Sequence, residues 1–251
     1  MKRQRVLSCA NIQFKRLLRQ PSLFFVLLLL PIGLTLFFKL AFGSVVDPIS
    51  GETVFHLVLP GLFAYSGLLI IFFVATSFSE AREQGLLKRI NTTPVTPSEF
   101  IGGNIITNMV ISMIQIAIIA IVLLIMGVQT NANVAGIALT CLIIFIYSAC
   151  SIGIGLIVAT VAKNAQAAAG LSWLFIVPQQ LFATGWIPLN DTIRVIGMFM
   201  PGYYVSDALL LIFNGTALTN LNIWFDLIVI TITSVVIIIF GIHLFKKYGE
   251  A

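Results

Sequence analysis

Residues 22–42 read SLFFVLLLLPIGLTLFFKLAF, with Lys39 as the only charge in the run. An unbroken apolar stretch of roughly 20 residues is what a helix needs to cross a bilayer. A strand of a membrane barrel would alternate apolar and polar residues instead. Lys39 sits near the far end, where its aliphatic stem can stay in the apolar layer while the ammonium reaches the interface. The same pattern recurs at 57–78, 104–127, 134–162, 167–186 and 223–245. Together these stretches predict an all-α integral membrane protein with six transmembrane helices in a single domain, 1–251. Composition agrees: 59% of the 251 residues are hydrophobic and 9% are charged, against about 25% charged in a soluble domain. A soluble globule could not hide that much apolar surface. Six spans of about 22 residues take about 130 residues, so no loop is left to hold a soluble catalytic domain. Three cysteines give no disulfide framework, and the net charge of +5 sits in a chain too apolar to read as a nucleic-acid binder.

Outward from the first span, residues 3–20 carry basic side chains on an amphipathic pattern. Val6, Leu7, Ala10, Phe14, Leu17 and Leu18 share one arc at helical spacing, with Ser8, Asn11, Lys15 and Arg19 opposite. This predicts a helix lying in the interface and ended by Pro21. A basic flank that only sets topology is the plainer reading, and a cleaved signal peptide fits less well because the basic region is long. Small residues at Ala149, Ser151, Gly153 and Gly155, and at Ala165 and Ala169, allow close helix packing.

Residues 193–213, IRVIGMFMPGYYVSDALLLIF, are apolar enough for a seventh span. Pro201-Gly202 divides them, and the pieces on either side would rise only ~12 and ~16 Å as helix, short of a ~30 Å hydrocarbon core. Two re-entrant half-helices fit better, with Pro201 and Gly202 at the break and Tyr203 and Asp207 on the second half. Charge supports six crossings. Lys2, Arg3, Arg5, Lys15, Arg16, Arg19, Arg82, Lys88, Arg89, Lys163, Lys246 and Lys247 fall on one side, leaving Lys39 and Arg194 on the other. The positive-inside rule makes the first side cytoplasmic, with both termini inside.

Several chemistries find no residues to carry them. His56 and His243 are far apart, so neither HExxH nor a histidine-rich metal site can form. There is no GxSxG elbow and no GxxxxGK[ST] phosphate loop. No ionisable group sits near the middle of the first five spans, where a proton- or sodium-coupled carrier usually needs one. With no phosphate loop in the sequence, if the chain is powered by ATP the power comes from another chain. An independent secondary carrier or channel is the alternative.

The loop after the second span, FSEAREQGLLKRINTTPVTPSEFIGGN at 78–104, carries the most information. Glu80 to Arg89 predicts a short charged helix with Leu86, Leu87 and Ile90 as an apolar edge, stopped by Pro94 and Pro97. Ser98-Glu99 then restarts a helix into the third span. Mixed charge beside a small apolar edge suits docking on a protein surface; a solvated loop that merely joins two spans is the other reading.

The run Glu80, Arg82, Glu83, Gly85, Leu87, Arg89, Pro94, Val95 resembles the E-x-R-E-x-G-x-L-x-R-x-x-x-x-P-V pattern of ABC-2 type permease subunits, which form type-V-like ABC exporters. IPLNDTIRVIGMFMPGYYVSDA at 187–208 is similar to the family's P-x-x-Y-x-x-D-A run before the last span. The likeness covers essentially the whole chain. It departs at Leu210, near where an arginine often follows the D-A-L triplet. The resemblance implies a subunit of the cell membrane that pairs with a second permease, a copy or a homologue, and with cytoplasmic ABC ATPases that hold ATP and Mg. Glu80, Arg82, Glu83, Gly85, Leu86, Leu87, Lys88 and Arg89 would form the coupling helix seated on the ATPase. Cargo would pass along the second and fifth spans, where Phe72, Phe73, Trp173, Phe175, Gln179 and Phe182 suit a drug- or lipid-like amphiphile. The plainer reading of those aromatic residues is packing between helices or contact with lipid.

Overall fold

A computed structural model describes residues 3–18, 21–48, 51–85, 96–128, 130–183, 195–216 and 219–248. Nine helices lie within them: α1 (Arg3–Leu18), α2 (Pro21–Phe42), α3 (Val54–Leu68), α4 (Ile70–Glu83), α5 (Pro97–Ile125), α6 (Val134–Val161), α7 (Ala165–Ala183), α8 (Pro201–Phe213) and α9 (Leu221–Tyr248). Among the described residues no strand forms; an isolated antiparallel bridge joins Val46 and Thr53. Four stretches are long and apolar enough to cross a membrane: Val54–Glu83, Glu99–Ile125, Val134–Val161 and Leu221–Tyr248. The fold is all-helical and membrane-spanning.

Local sequence sets where the helices begin. Thr53 and Asn133 cap α3 and α6 by accepting from the backbone N–H of His56 and Gly136. At α5 the Thr96 hydroxyl accepts from Glu99 N–H at 3.3 Å, and the Glu99 carboxylate accepts from Thr96 N–H at 3.1 Å. This capping box, with Pro97 in the first turn, starts the helix before Ser98, the expected restart point. Pro21 begins α2 rather than merely ending α1. α7 continues through Pro178.

The α3–α4 rod is the centre of the bundle. Its most apolar window is 89% buried, whereas that of α9 is 17% buried and faces outward. Packed around the rod are α6, α7 and α8, and α9 lies along α6 in the most extensive helix pair of the fold. Gly153 and Gly241 make that pairing possible. A Cβ on Gly153 would come within 2.7 Å of the Ile237 backbone, and one on Gly241 would collide with the Gly153 carbonyl. Gly155 plays the same part toward α4, against Val74 at 2.7 Å.

α1 and the end of α9 approach one end of the bundle. Phe78, in the second half of α4, stacks edge-on with Phe245 of α9 at 4.8 Å and with Phe100 of α5 at 5.7 Å. α1 crosses the start of α5 there. Arg5 approaches Glu99 at 3.9 Å, and Thr107 donates to the Ala10 carbonyl at 3.1 Å. Val6 and Cys9 are the buried pair on this face, while Leu7 and Ile12 are 60% and 67% exposed. The buried face is thus turned from the arc the sequence suggests: Cys9 joins it and Leu7 leaves it, because α5, and not only a membrane surface, supplies the apolar partner.

Candidate functional site

The docking segment at 80–89 divides in two. Glu80, Arg82 and Glu83 are not part of a separate short helix; they form the last turn of α4, continuous from Ile70. The helix ends at Gln84, whose N–H reaches the Glu80 carbonyl at 2.9 Å, and at Gly85, whose N–H reaches the Arg82 carbonyl at 2.9 Å. Gly85 has a φ of 63°, a left-handed conformation that only glycine adopts without strain and a common helix stop. Leu86, Leu87, Lys88 and Arg89 lie outside the described residues.

The charges on that last turn are used within the chain. Glu83 Oε1 accepts from the Ala165 N–H at 2.9 Å, and the Arg82 guanidinium donates to the Ala162 carbonyl. Ala162 closes α6 and Ala165 opens α7. A carboxylate thus meets unpaired N–H groups at a helix start and a cation meets unpaired carbonyls at a helix end, the arrangement that both the terminal groups and the helix dipole favour. Asn164 completes the α7 start by accepting from Ala167 N–H at 2.7 Å. The reach of Glu83 across the sequence to Ala165 was not legible in it.

The six aromatic and amide residues of the second and fifth spans have different surroundings. Phe72 meets Trp173 at 6.4 Å and Phe73 at 5.5 Å. Phe73 and Gln179 are buried, and Phe175 is 41% exposed on the outer surface of α7. Gln179 accepts from the Tyr147 hydroxyl at 3.0 Å. A cavity of about 200 Å³ does open between α2, α3 and α7, but of the six only Trp173 lines it; Phe38, Tyr65 and Gln180 stand on its walls.

α8 occupies the other half of the bundle. The chain turns at Met198–Met200, and Met200 caps a helix with Pro201 in its first turn. Gly202 is not the turn residue the sequence suggests. It lies within α8 and is absent from the positive-φ glycines. What it supplies is room: a Cβ there would come within 3.0 Å of the Gln179 carbonyl and 3.1 Å of the Tyr147 hydroxyl. Tyr147 lies about 20 Å along α6 from Val134, and α8 itself is about 20 Å long. Its far end meets Gly136, near the start of α6, through Ile212. There the Asn131 N–H donates to the Phe213 carbonyl at 3.0 Å, and His56 Nε2 pairs with Asn214 Oδ1 at 3.1 Å. α8 therefore runs from mid-bundle to one end without crossing. Of the first half-helix only a turn at 195–197 is described.

Tyr203 is buried where α8 begins, and Asp207 is half-buried beside a small cavity of about 80 Å³ lined by Pro60, Phe182 and Ser206. Asp207 also lies beside the side chain of Asp226 on α9, which is 4% exposed. The pairing was missed from sequence, although a carboxyl group inside an apolar helix already asks for a partner. Among the described residues no group of three His, Cys, Asp or Glu side chains could hold a metal ion.

No curated protein matches the chain. The ABC-2 type transporter family matches residues 4–214, a range that takes in α1, the central rod, the strapped α6–α7 link and α8. The chain belongs to the ABC-2 type transporter family, as a membrane permease component.

Proposed function

We propose that the chain is the membrane half of an ABC exporter, working with cytoplasmic ATPase subunits and a second permease, its copy or a homologue. α2, the α3–α4 rod, α5, α6, α7 and α9 are six spans in the cell membrane, with both termini in the cytoplasm. The observation that carries the reading is the strapped end of α4. Gln84 is exposed there, and force applied to it and to the segment beyond acts on α4 directly. Through Arg82 and Glu83 the same force acts on the α6–α7 link. Leu86, Leu87, Lys88 and Arg89 complete the docking surface, and ATP and Mg bind in the partner. An amphiphilic cargo moves along α3–α4 and α7 past Phe72, Phe73, Trp173, Phe175, Gln179 and Phe182. α8, with Pro201, Gly202, Tyr203 and Asp207, caps the outer mouth.

The Asp207–Asp226 pair favours a second reading, an independent carrier that moves protons. Copurification separates the two. Charge-assisted contacts at a docking surface are each worth roughly 1.5–3 kcal/mol, so Lys88→Glu with Arg89→Glu should strip the ATPase from the purified complex. Glu83→Ala should leave the ATPase bound yet uncouple its ATP turnover from cargo. Glu83→Gln should resemble the parent, because the amide oxygen still accepts from Ala165. A chain that transports cargo with no ATPase present is a carrier, and the ABC reading then falls.

A further inference from the structure

An apolar cavity lies away from the aromatic residues of α4 and α7. It has a volume of about 410 Å³ and opens between α5 and α6, in the half of the bundle that holds their connecting link. Phe63 of α3 and Phe213 of α8 line its inner side and touch edge-on at 5.3 Å. On α5 the wall is hollowed by Ala117 and Ala120, one helical turn apart. No charged side chain lines it. Thr140, on the α6 wall, keeps a buried hydroxyl oxygen with no hydrogen-bond partner, a sign that neighbouring groups stop short of close packing there. The rim is surface: Leu124 is 74% exposed and Ile137 is 53% exposed. They continue into Ile125 at 81% and Val134 at 86%, the kind of side chain that bilayer hydrocarbon covers.

We propose that this cavity is a binding site for one acyl chain of a bilayer lipid, which enters between α5 and α6 and ends against the Phe63–Phe213 pair. Size, walls and mouth each narrow the occupant. The volume is in the range of sites that hold small molecules, roughly 300–1,000 Å³, and too small for a helix of another protein. Walls without charge exclude an anionic or cationic ligand, and an apolar hollow does not hold water stably. A mouth in hydrocarbon admits a chain from the side, with its headgroup left near Thr130 in the α5–α6 link. The site is separate from the proposed cargo route and does not depend on an ATPase.

Cys141 lines the cavity and reports on it. The other two cysteines are poor competitors. Cys150 is fully buried, and Cys9 is buried beside Glu99. That burial, and then the Glu99 carboxylate, pushes the Cys9 thiol pKa up, which leaves it less of the reactive thiolate. The purified chain, stripped of lipid in dodecyl maltoside, is treated with N-ethylmaleimide, and modification of Cys141 is followed by peptide mass. Adding dioleoylphosphatidylethanolamine should slow the reaction, about tenfold at about 90% occupancy, since only the empty fraction reacts. Dihexanoylphosphatidylethanolamine, with the same headgroup and chains too short to reach the aromatic pair, should leave the rate unchanged. Ala120→Phe should slow the reaction without lipid and remove the lipid effect. If the dioleoyl lipid does not slow Cys141, or the dihexanoyl lipid slows it equally, the proposal is overturned. The same holds if Ala120→Phe keeps the full lipid effect. Should that variant fail to fold, the two lipids on the parent chain decide the matter alone.

Discussion

α6 meets α9 on one face and α5 on another, and the two contacts are built oppositely. Toward α9, Gly153 and Gly241 bring backbone onto backbone with no room for a methyl group. Toward α5, the alanines at 117 and 120 face a cavity of about 410 Å³. Small side chains serve in both places, so smallness alone does not foretell contact. In a bilayer the lipid tails are as apolar as leucine, and helices associate by close packing and hydrogen bonding rather than by leaving water. A glycine pair that interlocks holds two helices together. An alanine pair whose neighbour stands off leaves space for hydrocarbon.

The tight face should break first. Gly153→Val places a branched side chain where even a single Cβ meets the Ile237 backbone at 2.7 Å. Backbone cannot move aside as a flexible side chain can, so the cost should reach or pass the upper part of the usual overpacking range, about 3 kcal/mol. The expected result is loss of the monodisperse peak when the detergent-solubilised protein is run on a sizing column. A peak like that of the parent would mean that α6 and α9 are not interlocked.

A milder break is expected at Gly202, where the neighbours are one carbonyl and one tyrosine hydroxyl at 3.0 and 3.1 Å. Gly202→Val should push α8 off α7 and strain the bond from Tyr147 to Gln179, costing about 1–3 kcal/mol. Gly202→Ala should cost less, because alanine favours the helix by about 1 kcal/mol relative to glycine. Thermal unfolding in detergent would rank the parent above Ala and Ala above Val. An Ala variant less stable than the Val variant would contradict the packing role assigned to this glycine.

How much of this was legible in the sequence depends on the range of the interaction. Apolar runs of spanning length and the 80–95 pattern gave the helical membrane class and the family, because both are local. Glycines 153 and 155 were read as packing residues for the same reason: few other roles suit glycine inside an apolar helix. Gly202 was read as a turn because it follows a proline. The Gln179 carbonyl on α7 and the Tyr147 hydroxyl on α6 show that its missing side chain makes room instead. Glu83 looked like a residue that faces a partner protein, because it sits in a run of mixed charge beside a small apolar edge. Its acceptor role at Ala165 depends on α6 running the full length of the bundle and returning the chain to the end of α4. Asp207 was visible as an isolated acid, and the fold brings it beside Asp226. Cys9 turned inward because α1 has a protein neighbour as well as a membrane surface.

The smallest effect is expected on the slack face, and it is the sharpest test of the comparison. Ala117→Leu adds three carbons to the side chain, as many as Gly153→Val adds at its site. Ala117 is exposed on α5 and lines the cavity, so the added carbons enter open space rather than backbone. Leucine is nearly as good a helix former as alanine, and burying its extra carbons against Phe63 and Phe213 recovers dispersion contacts that the empty space forgoes. The net change should be within about 0.5 kcal/mol, the size of a neutral surface substitution, and the midpoint of thermal unfolding should move by only about 1–2 °C. Lipid should sharpen the result. With its cavity partly filled, the variant should gain less stability from added dioleoylphosphatidylethanolamine than the parent does, since the lipid stabilises only by binding the folded chain. If Ala117→Leu instead destabilises the protein as severely as Gly153→Val, then α5 closes on α6 in the membrane as tightly as α9 does, and the distinction between the two faces of α6 is lost.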